Sequence, residues 1–551
     1  MAGKTKPLYF LPLGGSGEIG MNMNLFGYGD KWIMVDCGMG FAGDNLPGID
    51  LILPDPKFIA EQKDRLLGLV LTHAHEDHIG AVPYLWKQLQ CPIFATPFTA
   101  GMVRSKLSDA GLLDEVPLYE IGLNGTIELG PFDIKYVTLA HSIAEPNALL
   151  IKTPVGTIFH TGDWKIDADP VVGEPADIAE LTAIGDDGVL AMVCDSTNVF
   201  NTGTSGSERD VHGPLSAIVA QQTGRVAVTG FASNIARIHT IASVAAENGR
   251  KVCLVGRSMR RNTSIAQSSG YLNDLPPFIS EDESATLLRN KVLYLCTGSQ
   301  GEQRGAMQRI ASGEHRHIKL DDRDLVIFSS KAIPGNEVSL ASLYNKFARK
   351  GVKTITEKDS PVHVSGHPGR PDLVQMYGWI RPQISVPVHG EPRHLLEHQR
   401  LARDIQVPFC MPGQNGTMVE LSPKGPKFVK EVEFGRLAVD GGHVTPTRST
   451  AVKERQKVST EGHLVITILL DDGAEPIQPP AISTLGIPEA EAVQEKVQDT
   501  VESVLFRMSR KQRSQQAKMA EAIRIAARRA CEAVSGKRPV TDVQIMRLPR
   551  D

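Results

Sequence analysis

The chain has 551 residues, 41% hydrophobic and 22% charged, so it is long enough for more than one buried core, and its composition excludes a disordered or fibrous protein. Its formal net charge is -4, from 59 Lys and Arg against 63 Asp and Glu, which excludes a generally polybasic binder of polyanions. Any nucleic-acid contact must then come from local basic patches that the whole-chain sum conceals.

The opening MAGKTKPLYFLPLGGSGEIG has no apolar core followed by a small-residue cleavage site, and no run of about 18 apolar residues follows anywhere. A cytoplasmic protein without a membrane partner is expected. From residue 7 to about 200, short apolar runs end in Gly, Asn, Asp or His: LYFLPLG, KWIMVDCG, LLGLVLTH, DIKYVTLAH, TIFHTGDW and VLAMVCDST. These read as strands with functional ends, and the first domain is bounded at 1–210. Between 211 and 361, RVAVTGFA, KVCLVGR, KVLYLCTG and DLVIFSS alternate with helical stretches, predicting an inserted α/β unit with a parallel sheet. PVHVSGHPG and ISVPVHGEPRHL return to strands ending in histidine, so the first domain resumes over 362–440. Residues 441–460 are polar without an apolar period and read as a linker. A C-terminal α/β domain over 461–551 is predicted from strands HLVITILL and PAISTLGI, helices over 487–506 and 513–534, and a closing strand VTDVQIMRL. Residues 507–537 hold nine Lys and Arg against two acids, which suits either a phosphate backbone or a solvated helix face. The seven cysteines are dispersed and form no CxxC pair, which argues against a disulfide framework or zinc knuckle.

The sharpest feature is Thr72-His73-Ala74-His75-Glu76-Asp77-His78-Ile79-Gly80, set between the apolar run LLGLVL and the helical stretch AVPYLWKQL. Imidazole nitrogens and hard carboxylate oxygens at this density suit Zn²⁺ or Mn²⁺, and a strand-to-helix turn lets alternate residues diverge toward two adjacent ions. Gly14, Gly15 and Gly17 either shape a loop beside such ions or form an ordinary turn. No serine nucleophile elbow and no Walker A sequence occurs, so the chemistry points to an activated water rather than a protein nucleophile.

HAHEDH matches the HxHxDH motif of the metallo-β-lactamase fold. Asp195 in CDSTN, the HVSGH of PVHVSGHPG and His389 in VPVHGEPRHL resemble the motifs of the β-CASP group. In their order, and with the insertion between them, they resemble the ribonuclease J family over essentially the whole chain. The resemblance implies an αββα metallo-β-lactamase sandwich, an inserted Rossmann-like β-CASP domain and a small α/β C-terminal domain. It implies two divalent ions per subunit, Zn²⁺ first and Mn²⁺ or Mg²⁺ as alternatives. Carried over by position, His73, His75 and His141 hold one ion, Asp77, His78 and His389 hold the other, and Asp163 bridges them. Asp36 supports the site, and His160 belongs to neither role. Asp77, Asp195 and His367 are assigned to catalysis, His367 as the group that stabilises the developing phosphorane or protonates the leaving oxygen. Ser233, Asn234, His363, Val364, Ser365, Gly366 and His367 are assigned to binding RNA and its 5′ monophosphate.

The implied activity is 5′→3′ exonucleolysis of single-stranded 5′-monophosphorylated RNA together with internal cleavage, in RNA maturation and mRNA decay, by a homodimer or homotetramer. From the residues alone, His363 and His367 also fit a stabilising hydrogen-bond pair. A small-molecule metallohydrolase, a non-catalytic RNA-binding component of a degradation complex and a DNA-processing relative stand as alternatives, because the histidine cluster fixes a reaction type and not a substrate.

Overall fold

A computed structural model of the chain describes residues 6–43, 45–333 and 335–548; residues 1–5 and 549–551, at the outer ends of the terminal segments bounded above, lie outside it, as do 44 and 334. The described residues form two compact units, one of 6–40 and 53–435, the other of 41–52 and 436–548.

In the first unit two sheets face each other. One has eight strands, in the spatial order Lys427–Glu431, Thr417–Leu421, Leu8–Gly14, Met23–Tyr28, Lys31–Val35, Leu66–Val70, Ile93–Ala95 and Leu118–Glu120. The other has seven, ordered Phe409–Cys410, Ile384–Val388, Ala191–Asp195, Thr157–His160, Asn147–Lys152, Phe132–Thr138 and Thr126–Leu129. Phe10, Phe26, Ile33 and Val70 of the first meet Phe132, Ile134, Leu149, Ile151 and Val386 of the second in one core. Alternate residues of the same strands serve a second core: Ala148 and Leu150 point outward, onto Leu181 and Ile184 of helix Ile178–Asp186 and Leu373, Met376 and Ile380 of helix Arg370–Ile380. Burial on both faces explains why these strands read as continuous apolar runs. On the eight-stranded sheet, helix Pro97–Asp109 buries Phe98, Met102 and Val103, which completes the αββα layering.

Between the halves of the sandwich lies a five-stranded, wholly parallel sheet, ordered Lys251–Val255, Val292–Cys296, Val226–Thr229, Leu325–Phe328 and Lys353–Ile355. Ala227, Tyr294, Val326 and Phe328 pack there against Met307, Ile310, Leu343 and Phe347 of flanking helices. The return differs from expectation at PVHVSGHPG, which forms no strand. Its prolines and glycines break a ladder, and its carbonyls are taken by side chains: Val362 O accepts from Arg237 and from Ser329 Oγ.

The second unit also departs from the expected boundaries. Residues 441–460 are not an irregular linker, because they carry strand His443–Pro446, paired antiparallel with Arg436–Asp440, and helix Thr450–Glu461. That helix buries Val452 alone, so no apolar period marks it, and Arg455 fastens it to Asp440 at 2.7 and 3.2 Å. Beyond it, strands Ala481–Leu485, His463–Leu470 and Val540–Arg547 form a sheet. Leu464, Ile466, Ile468 and Leu470 pack on helices Ala490–Arg507 and Gln516–Ser535 through Val497, Val501, Ile523 and Ala527. In the basic stretch, Arg513 is bound into the fold by Glu475 and Leu505 O, and Arg524 pairs with Glu521. Among the described residues, no helix is long and apolar enough to cross a membrane.

Candidate metal centre

The sheet topology itself gathers the ligands. Leu66–Val70 runs parallel to Lys31–Val35, with Val70 opposite Val35, so Asp36 and the Thr72–His78 segment leave the same sheet edge. In the facing sheet, Thr157–His160, Ala191–Asp195 and Ile384–Val388 are adjacent and parallel, and their carboxyl ends release Asp163, Asp195 and His389 side by side. His141 follows Phe132–Thr138, and the short helix Glu76–Ile79 presents Asp77 and His78.

Three groups of donor atoms result, each within 4.8 Å of one another: His73, His75, His141 and Asp163; Asp77, His78, Asp163 and His389; and Asp163, Asp195, His367 and His389. Asp163 is common to all. Its Oδ2 lies 3.2 Å from His78 Nε2, 3.8 Å from His141 Nε2 and 3.9 Å from His73 Nε2, while Oδ1 lies 2.7 Å from His389 Nδ1. Asp77 Oδ2 approaches His389 Nε2 at 3.3 Å and His78 Nε2 at 3.6 Å. The seven residues expected to hold metal are therefore together, and two assigned to catalysis, Asp195 and His367, join them through the third group. His160 is buried beside the Phe26 ring and is not in these groups.

The donor chemistry fits divalent cations. Burial pushes the His73 and His141 imidazoles well below their usual range and His75 down to about 4, so all three offer free lone pairs. His75 Nδ1 lies 3.1 Å from His73 Nε2 and 3.0 Å from His141 Nε2, three nitrogens converging on one point. His389 Nε2 is buried and faces Asp77 Oδ2, 3.3 Å away and poorly aligned for a hydrogen bond. Such a set suits Zn²⁺ or a similar ion.

What lies behind the ligands fixes their aim. Asp36 Oδ2 stands 2.7 Å from His78 Nδ1, and Oδ1 accepts from Thr72 N at 2.8 Å. Thr72 Oγ1 contacts both Asp36 oxygens and lies 3.0 Å from His73 Nδ1. One carboxylate thereby orients two imidazoles, the usual outer support of a metal-bound histidine. Asp36 and His389 both hold left-handed backbones, with φ of 63° and 50°, where each strand ends. Close packing of the turn depends on Gly38, whose added Cβ would sit 1.7 Å from Asp77 O. Sequence reasoning missed Asn22, whose Nδ2 is 3.1 Å from both His78 Nε2 and Asp77 O. Its only signal was its place after the glycine loop, and that loop does border the site: Gly17 N donates to Gly390 O at 3.0 Å, beside His389.

The Val362–His367 segment comes in from the insertion's side. Gly366 O accepts from His141 Nδ1, and a Cβ on Gly366 would lie 2.7 Å from Ser142 Oγ, so only glycine allows this approach. His367 Nδ1 is 2.7 Å from Asp195 Oδ2; against the opposing effect of burial, that carboxylate raises the imidazole above its ordinary range. Ser365 Oγ closes a local turn, donating to His367 O and accepting from His367 N, both at 3.1 Å. Val364 is half-buried against Gly206. His363 is pushed down to about 3 by burial and by the Arg237 guanidinium. Of the second set, Asn234 Oδ1 caps helix Ile235–Glu247 at Arg237 N, 2.9 Å away, and Ser233 precedes it, half-buried. Arg237, unforeseen in the sequence, ties the two sets together: paired with Glu208, it donates to Ser329 O and Val362 O at 2.9 and 3.1 Å.

Comparison with known proteins covers most of this frame. Residues 18–163 match the metallo-beta-lactamase superfamily and 223–347 the ribonuclease J beta-CASP domain. Residues 360–409 match the Zn-dependent metallo-hydrolase RNA specificity domain and 450–548 the ribonuclease J C-terminal domain. Ribonuclease J of Sinorhizobium meliloti is 42% identical over 99% of this chain and 98% of its own, and that of Helicobacter pylori strain J99 is 37% identical over 86% and 70%. A crystal structure of a protein of unknown function from Enterococcus faecalis V583 shares the fold with a TM-score of 0.53 at 17% identity, covering 75% of this chain and 100% of that one.

Proposed function

We propose, from the premise that the chain belongs to the ribonuclease J family, that this metal-dependent hydrolytic ribonuclease removes nucleotides 5′→3′ from single-stranded, 5′-monophosphorylated RNA and also cuts internally. The observation that carries the reading is the Val362–His367 loop, joined to the ligand cluster at His141 and at Asp195. A terminal phosphate bound by that loop sits next to the reaction centre, so hydrolysis is directed to the first bond.

In this reading His73, His75 and His141 would hold one divalent ion and Asp77, His78 and His389 another, Zn²⁺ first among the candidates, with Asp163 within reach of both. When bound, such ions supply an activated water and neutralise charge on the scissile phosphate. The chain's own residues do the rest. Asp36 and Thr72 keep the His78 and His73 rings aimed. Asp195 raises His367's hold on a proton against the effect of burial and keeps its ring in place beside the cluster, so that it would give that proton to the leaving 3′ oxygen or stabilise the charge that develops on phosphorus's oxygens. Ser233, Asn234, His363, Val364, Ser365 and Gly366 receive the 5′ nucleotide, with the neutral His363 acting through hydrogen bonds rather than charge. The setting is the cytoplasm, in RNA maturation and mRNA decay, by a homodimer or homotetramer. The test is a time course on 5′-monophosphorylated, end-labelled RNA with and without chelator. Early mononucleotides that vanish with chelator are expected; internal fragments alone would refute the exonucleolytic direction.

A further inference from the structure

Phe200 has no part in the chemistry above, yet its loop is built into the site. The loop begins at Asp195; Thr197 Oγ1 donates to His389 O at 3.1 Å, and Asn198 Nδ2 donates to Ser365 Oγ and His367 O, each at 3.4 Å. Its backbone is pinned, with Asn201 N on Asn198 O at 2.9 Å and Arg370 N on Asn201 O at 2.8 Å. On this fixed support the Phe200 ring is 52% exposed. It is flanked rather than covered: the His394 ring meets it edge-on with centroids 5.3 Å apart, and the Arg393 guanidinium carbon lies 5.9 Å over it. His394 is itself 6% exposed, and its Nδ1 has no hydrogen-bond partner, the nearest carboxylate, Glu391, being 3.8 Å away.

A large apolar ring facing water loses free energy unless something covers it, and a rigid ring beside a cation suits a flat, electron-rich partner attached to a phosphate. We propose that Phe200, with Arg393 beside it, is a stacking platform for a base of single-stranded RNA beyond the first nucleotide on the 3′ side of the scissile phosphate, one that a dinucleotide lacks. The inference rests on the exonucleolytic reading: where one nucleotide is enclosed at the 5′ end, all the remaining strand emerges on the 3′ side, and an aromatic outside the pocket meets that remainder. Every base has a π-face, so the platform grips the strand without reading its sequence. Arg393 brings a guanidinium to the ring's side, its Nε donating to Glu391 Oε2 at 2.9 Å, which holds the group in place.

The experiment is steady-state cleavage by the full chain of a 5′-monophosphorylated dinucleotide and of a longer single strand. Phe200→Ala is expected to raise KM for the long strand at least about five-fold, the lower end of one lost base stack, with kcat retained. The dinucleotide's KM stays as in the wild type, and Phe200→Trp restores tight binding of the long strand. Phe428→Ala removes another phenylalanine that is 52% exposed, on strand Lys427–Glu431, and leaves both substrates unaffected. Wild-type protein that cuts RNA while Phe200→Ala shows an unchanged KM on the long strand, or an equal loss on the dinucleotide, overturns the platform alone. Wild-type protein that leaves RNA intact overturns the platform and the parent reading together.

Discussion

The metal ligands and the Val362–His367 loop share one site but are held by opposite means. His73, Asp163 and His389 follow strand ends and His78 lies in the short helix Glu76–Ile79, all at most 3% exposed and braced by Asp36, by Thr72 and by the ladders of two sheets. The loop has no ladder and hangs on separate side-chain bonds from Arg237, Ser329, Asn198, His141 and Asp195, with the His367 side chain 25% exposed. A frame of sheets fixes charge, where displacement is most costly; in the proposed reading a loop of separate bonds receives the substrate's end, where small changes tune rather than abolish.

The ligands offer the strongest way to break this contrast. His75→Ala and Asp163→Ala should each reduce hydrolysis to background, with metal loss read by elemental analysis; near-normal turnover in a metal-loaded preparation would show the cluster to be inert. His367→Gln should lower kcat by about 10²–10⁴-fold while metal content stays unchanged, because in the proposed reading it removes a proton donor and not a ligand; metal loss would assign His367 to the third donor group instead. Asp36→Asn should weaken metal affinity by about 10–100-fold in a chelator competition, since the carboxylate orients His78 without being counted among the donors. Ser365→Ala should cut the preference for 5′-monophosphate over 5′-hydroxyl ends by about ten-fold, with internal cleavage less affected.

The smallest effect concerns stability. Burial pushes His398 down to about 4, although Asp195 pulls the other way; its Nδ1 meets Ser196 Oγ at 2.8 Å and its Nε2 meets Tyr377 OH at 3.0 Å. Between the ordinary value of 6.5 and about 4, the unfolded chain binds the proton that the folded chain refuses. Stability is therefore full above the upper value and falls on acidification through the window, by up to about 1.4 kcal/mol per pH unit. His398→Gln should flatten that slope, a difference of about 2 °C in the change of Tm between pH 7 and pH 5.

Most strands were legible because burial on both faces leaves an uninterrupted apolar run ending at a polar residue, as in Leu66–Val70 before Thr72-His73 and Ala191–Asp195. HAHEDH was legible for the same local reason, since its donors fall within one turn. His141, Asp163 and His389 required the family's motif order, because chain spacing says nothing about which strand ends become neighbours. PVHVSGHPG misled, since an apolar alternation with histidines reads as a strand although Arg237 and His141 take its carbonyls. Helix Thr450–Glu461 was hidden by its single buried residue, and Arg237 by its resemblance to any surface cation until Glu208 is seen beside it.

The left-handed backbones at Asp36 and His389 carry a consequence for assembly of the centre. Each residue leaves its sheet in a conformation that the surrounding chain enforces, so its direction is set by main-chain torsion more than by the choice of rotamer. A centre built this way is expected to keep its shape when its metal is removed, unlike small zinc modules that collapse only around their ion. Stripping and reloading the centre should accordingly be reversible, with far-ultraviolet circular dichroism unchanged throughout.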